Sequence, residues 1–148
     1  MILIAHRGNV SGPQPERENT PEYIEEALSK GFDVEIDVRC EDGKILLGHD
    51  NGETNITLDW IQGHGDRLWV HCKNLEALRF FSSLEGVNFF WHQEDDFTLT
   101  SKKIIWTYPR KKVTDKSIIV CFTKEEAEFY IDNYPLLGVC CDWVEDLK

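Results

Sequence analysis

The chain has 148 residues, and its 27 acidic against 16 basic side chains leave a formal net charge of −11. That balance argues against nucleic acid or an anionic bilayer as partner, because both call for clustered basic charge. A hydrophobic fraction of 41%, with 11% aromatics, supports a packed core in a single domain spanning residues 1–148.

The chain opens on an apolar strand, Ile2–Ala5. It lacks the basic flank and long apolar stretch of a secretion signal, so a cytoplasmic protein is expected. A helix follows over Pro21–Lys30, with Thr20 as cap, Pro21 in the first turn and Gly31 as the stop. Ile24, Ala27 and Leu28 form its inward face. Strands are predicted over Val34–Val38 and Ile45–Leu47, then a helical turn near Leu58–Gln62 and a strand over Leu68–Val70. Asn74 caps a second helix, Leu75–Leu84, whose inward residues are Leu75, Leu78 and Phe81.

Three further strands cover Val87–Trp91, Ile104–Tyr108 and Ile118–Phe122. The charged runs Glu94-Asp95-Asp96 and Arg110-Lys111-Lys112 read as loops. Thr123 and Glu126 make a capping box for a third helix, Lys124–Tyr134, with Ala127, Tyr130, Ile131 and Tyr134 as its inward stripe. Val139–Cys141 closes the series. Apolar runs alternating with helices indicate an α/β protein with a mainly parallel sheet. No run approaches the roughly 20 apolar residues of a membrane helix. The five cysteines include no CxxC pair and read as buried, reduced thiols.

Polar residues of catalytic type fall at the ends of these strands, the edge where parallel α/β proteins bind ligands. They are His6, His49, His71, Lys73, His92 and Asp142. Glu35 and Asp37 lie two apart in a strand and so share a face. Two adjacent carboxylates repel unless protonated or bridged, and hard oxygen ligands suit Mg²⁺ or Ca²⁺. Histidine moves protons in either direction near neutral pH, so His6 and His49 form a candidate acid/base pair. Arg7 and Lys73 offer positive charge for a phosphate. Trp106 and Trp143, near strand ends, suit a sugar or alcohol moiety or serve as core, and His92 opens a polar segment fit for a polar ligand.

The order His6-Arg7-Gly8, Glu18-Asn19-Thr20, Glu35-x-Asp37-Val38, Asp42-Gly43 and His49-Asp50 resembles the signature of the glycerophosphodiester phosphodiesterases. Their wider group includes phosphatidylinositol-specific phospholipase C and sphingomyelinase D. The likeness is clearest over residues 2–50, weaker at Leu68–Lys73 and faint again at Gly138–Leu147. It implies a TIM barrel with a divalent cation at its C-terminal mouth. It further implies that His6 and His49 exchange protons, Glu35 and Asp37 hold the metal, and Arg7 and Lys73 contact the phosphate. Glu18 and Asn19 would brace the mouth.

Three departures shape the expectation. His71 stands where the family carries an acidic ligand, which shifts preference toward Mn²⁺ or Zn²⁺ if His71 is a ligand. Asn51–Arg67, after the His-Asp motif, has only 17 residues, so most of the family's substrate-covering insertion is missing. The chain is also far short of the roughly 250 residues of a standard barrel. The expected fold is therefore a compact, reduced TIM-type (β/α) barrel, with about seven or eight mainly parallel strands and several outer helices missing. With signature residues near both ends, a trimmed barrel is expected rather than a fragment.

The expected activity is metal-dependent cleavage of a small phosphodiester, with a homodimer covering apolar faces left bare by the lost helices. Substrates of that kind include a glycerophosphodiester, a phosphodiester-linked sugar or a lipid headgroup. The alternatives are a phosphate or phosphosugar binder without turnover, and a zinc hydrolase ligated by His6, His49 and His71.

Overall fold

The computed structural model describes all 148 residues. Ten strands and four α-helices run in the order β1 (Ile2–His6), α1 (Pro21–Ser29), β2 (Asp33–Glu41), β3 (Lys44–Leu47), β4 (Thr54–Ile56), α2 (Leu58–Gly63), β5 (Leu68–Cys72), α3 (Leu75–Ser82), β6 (Asn88–Phe90), β7 (Phe97–Leu99), β8 (Ile105–Thr107), β9 (Ser117–Val120), α4 (Lys124–Asn133) and β10 (Gly138–Cys141). No helix is long and apolar enough to cross a membrane.

All ten strands belong to one mixed sheet. Six pairings are parallel, linking β6-β5-β2-β1-β10-β9-β8 in that spatial order. Three are antiparallel: β2 with β3, β3 with β4, and β7 with β8. The sheet curls, but no strand pairing joins β6 to β8 across the remaining seam. The expected reduced TIM-type barrel of mainly parallel strands is therefore incorrect; the molecule is a curled, open half-barrel of mixed strands. Two physical reasons account for this. First, Asp42 and Gly43 both adopt positive φ, 50° and 74°, which makes a tight reversal of the chain. A strand entering such a turn returns antiparallel. Second, only four helices are available, too few for a crossover between every pair of neighbours.

Two strands, β4 and β7, were absent from the sequence reading; each has only three residues. β7 lies inside the polar stretch after His92, which sequence assigns to a loop. α1, α3 and α4 begin where expected and end one or two residues early, and the turn expected near Leu58–Gln62 is α2, one residue longer. Thr20 does not cap α1 through its side chain; its hydroxyl donates to the Arg17 carbonyl instead. Asn74 and Thr123 do cap α3 and α4. Two residues assigned to inward faces point outward: Leu75 is 71% exposed and Tyr134 44%.

The two faces of the curled sheet differ. Helices α1, α3 and α4 cover the outer face, where Ala5, Val34, Ile36, Val38, Val70 and Val139 join a core of 25 buried residues. On the inner face a smaller cluster of six, Ile4, Trp69, Phe90, Trp106, Ile118 and Cys140, plugs the concave side. Phe90 stacks on Trp106 with ring centroids 4.4 Å apart, so aromatic packing bridges the seam that backbone pairing leaves open. All five cysteines are free, four of them buried.

Candidate functional site

On β1, β5, β6 and β10 the inward-facing residues run from apolar to polar toward the C-terminal end. Ile4 is followed two residues later by His6, Trp69 by His71, Phe90 by His92 and Cys140 by Asp142. Side chains two apart share a face, so the apolar plug forms a floor and the polar residues form a mouth above it. Strand register completes the arrangement. His6 pairs with Glu35 across β1 and β2, and Asp37 pairs with His71 across β2 and β5. A cavity of about 340 Å³ opens there, lined among others by His6, Arg7, Glu35, Asp37, His71 and Asp142.

Its deepest part is a cluster of Glu35, Asp37 and His71, whose ligand atoms all lie within 4.8 Å of one another. Both carboxylates are buried, at 2% and 1% exposure. The Nε2–H of His71 donates to the carbonyl of His92 at 3.0 Å. With that proton placed, neutral His71 directs a bare Nδ1 lone pair at Glu35 Oε1, 3.3 Å away, and at Asp37 Oδ1, 3.4 Å away. Three acceptors then face one another. Either His71 carries a second proton, or a cation belongs between them. Glu35 Oε2 and Asp37 Oδ1 are buried and have no hydrogen-bond partner. Burial pushes the Glu35 carboxyl up, but with the second proton on His71 the hydrogen bond from its ring and the charges of His6, His71 and Arg7 outweigh burial and pull the group well below its ordinary value. The donor set, two carboxylates and an imidazole fixed through its other nitrogen, fits a divalent cation.

Asp37 is held from its other side. Its Oδ2 accepts from Asn19 Nδ2 at 2.9 Å and lies 2.8 Å from Arg7 Nε. Asn19 also accepts the Asp37 backbone N–H at 3.0 Å. Arg7 in turn pairs with Glu18 at 3.3 Å. Arg7 and Asn19 both sit at positive φ, 54° and 55°, a costly backbone state for residues with a Cβ. Gly8, at φ 93°, is needed there because a Cβ would lie 2.9 Å from the Tyr23 ring and 3.3 Å from its backbone.

His6 donates from Nδ1 to Asp142 Oδ1 at 2.9 Å and directs Nε2 toward Glu35 Oε2, 4.0 Å away. Burial pulls its pKa down, but the Asp142 hydrogen bond and the negative charges of Glu35 and Asp142 prevail and raise it above the ordinary value. Asn9, fully buried, donates its side-chain amide to both Glu18 and Asp142, at 2.8 and 2.9 Å. It therefore ties the His6–Asp142 pair to the Arg7–Glu18 pair.

His49 stands at the rim, its side chain 41% exposed and bonded through Nδ1 to Asp50 at 2.7 Å. Gly48 shapes its loop: φ is 151°, and a Cβ would lie 1.7 Å from the Asn51 carbonyl oxygen. Lys73 and His92 line the same cavity, with Trp106 in its floor and Tyr108 and Phe122 on its aromatic side. The His92 ring donates to the Asp95 carbonyl at 2.6 Å, and burial lowers its pKa. Trp143 does not line this cavity; it packs against the outer core.

Twelve of the thirteen residues singled out in the sequence thus gather in or directly behind the mouth, and Trp143 does not. Asn9 and Arg39 escaped notice. Nothing in the sequence marks Asn9, whereas Arg39 continues the Glu35, Asp37 face by two residues and was legible from that spacing. Comparison with protein-family models, curated proteins and solved structures finds no match to this chain.

Proposed function

We propose that this chain is a metal-dependent phosphodiesterase acting on a small phosphodiester. The observation that carries the reading is the convergence of the Glu35, Asp37 and His71 acceptor atoms beside Arg7 and the His6–Asp142 pair. Resemblance to the glycerophosphodiester phosphodiesterases over residues 2–50 points to the same chemistry.

Glu35, Asp37 and His71 hold the divalent cation. When bound, that cation neutralises the carboxylates and stabilises negative charge on the non-bridging phosphate oxygens. Arg7, fixed by Asp37 and Glu18, aims its guanidinium at the phosphate, and Lys73 adds a second positive charge. The Asp142 hydrogen bond favours the protonated form of His6, which suits it to donate from Nε2 to the departing alkoxide oxygen. Asp142 holds the ring in the orientation that directs Nε2 into the cavity. His49, at the open rim, takes the proton from the attacking hydroxyl, either a water or a neighbouring hydroxyl of the substrate. The aromatic side of the cavity receives the organic substituent of the diester.

The test is hydrolysis of bis(p-nitrophenyl) phosphate with Mg²⁺, Ca²⁺ or Mn²⁺. Wild type turns over in at least one of these metals, and His6→Ala and His49→Ala each lose about 10²–10⁴-fold. Equal rates in all three proteins would remove the proton-transfer roles. No turnover with any metal, in a protein that binds inorganic phosphate, would favour the binding module instead.

A further inference from the structure

Beside the catalytic mouth lies a second cavity of about 230 Å³, lined by Arg39, His49, Asp50, Lys73 and Trp91 among others. It is built by the same register as the metal cluster, one rung higher. Glu35, Asp37 and Arg39 share the inner face of β2, while His71 and Lys73 share that of β5 and its continuation. Val38 pairs with Cys72, so Arg39 and Lys73 follow side by side. Two residues along a strand advance about 7 Å, which sets the separation of the cationic rung from the metal rung.

These two cations are unusual within the molecule. Eight of the lysines and arginines have a carboxylate within 4.0 Å: Arg7, Arg17, Lys30, Arg67, Lys102, Arg110, Lys111 and Lys124. Every one of the rest is exposed except Arg39 and Lys73, which are half-buried. Arg39 is held in place by donation from Nη2 to the His49 carbonyl at 2.8 Å, and its Nε is buried with no partner. The one carboxylate on this cavity, Asp50, is 86% exposed at its side chain and pairs with His49. In a chain of net charge −11, leaving two adjacent half-buried cations without a carboxylate is costly unless an anion joins them.

We propose that this cavity is a second anion subsite, and that the substrate is a small phosphodiester bearing an additional phosphomonoester. The proposal rests on the phosphodiesterase reading for the role of the first site. The scissile diester sits in the mouth, while the terminal phosphate, a dianion, lies on the Arg39 fork and shares with the diester the Lys73 ammonium, which lines both cavities. Arg39 is then a specificity residue, with no part in bond cleavage. A diester with a neutral or cationic substituent leaves Arg39 unsatisfied, so it is discriminated against.

The test compares propane-1,3-diyl bisphosphate with propyl phosphate by titration calorimetry, in Mn²⁺-loaded and in EDTA-treated protein. Wild type is expected to bind the bisphosphate about tenfold tighter in the Mn²⁺-loaded state, where each phosphate finds a cationic partner, and to lose that advantage in EDTA. Arg39→Met removes that advantage, and Arg39→Lys restores part of it. As a check on wild type alone, the Arg39 Nε–H resonance shifts as the bisphosphate binds. Equal affinity for the two compounds, or an advantage that survives in Arg39→Met, overturns the subsite. Because the readout is binding, it separates from the fate of the activity. Bisphosphate preference without any diester turnover would sink the first site's chemistry and keep the subsite, and turnover without preference would do the reverse.

Discussion

The two faces of this sheet are made from the same strands and do opposite jobs. On the outer face nearly every position is a buried aliphatic or aromatic residue, and three helices seal it. On the inner face six apolar residues form a floor, and on β1, β5, β6 and β10 the next inward-facing residue is charged or polar. The outer face holds the fold together by burying apolar area. The inner face uses that rigidity to keep Glu35 and Asp37 beside each other, an arrangement that costs free energy unless charge is supplied from outside. Period-two alternation is what allows one strand to serve both ends: β2 reads Val34, Ile36, Val38 outward and Glu35, Asp37, Arg39 inward.

The contrast breaks most visibly in activity. His6→Ala on the inner face is expected to lower the rate of the proposed phosphodiester cleavage by about 10²–10⁴-fold while moving the thermal midpoint little. Ile36→Ala, on the adjacent outer-facing position, is expected to cost about 2–5 kcal/mol of stability by denaturant titration, with the rate per folded molecule unchanged. Trp106→Ala tests the floor between the two regions: a stability loss of about 3–5 kcal/mol accompanied by a fall in rate, because this ring both packs on Phe90 and lines the mouth.

Two glycines sharpen the comparison at smaller scale. Gly48→Ala drives a Cβ into the Asn51 backbone, so the His49 loop must move, and both stability and rate fall. Gly31 also has positive φ, 92°, but meets nothing within 4 Å. Gly31→Ala is expected to cost about 1–2 kcal/mol of backbone strain and to leave the rate alone. A rate loss in Gly31→Ala would show that strain anywhere in the fold reaches the mouth.

The smallest effect is electrostatic. His6 has a folded pKa raised above its ordinary value of 6.5. Its contribution to stability is therefore complete below about that pH and is lost as pH rises through the higher folded value. In metal-free protein the thermal midpoint should decline across this window. Asp142→Asn, which removes the hydrogen-bonding carboxylate, should flatten the decline.

Much of the mouth was readable because its residues obey two short-range rules. Polar residues stand at strand ends, and Glu35 and Asp37 share a face by spacing alone. The helices were readable from Asn74, Thr123 and Pro21. The closure of the sheet was not, because it depends on which strands meet across the seam, a long-range matter of packing such as Phe90 on Trp106. The antiparallel β2–β3 pair was within reach: Asp42-Gly43 between two apolar runs is a hairpin signal in its own right. β4 and β7 have too few residues to display a period. Asn9 gains its importance only when β10 brings Asp142 beside it, 133 residues away in sequence.

The most direct measurement is calorimetric titration of the EDTA-treated, dialysed protein with Mn²⁺. One equivalent should bind per chain, and Glu35→Gln, Asp37→Asn and His71→Ala should each weaken it by about tenfold or more. Absence of stoichiometric binding in wild type, or binding unchanged in all three variants, would contradict the metal centre. The cluster would then be an imidazolium of His71 neutralised by two buried carboxylates.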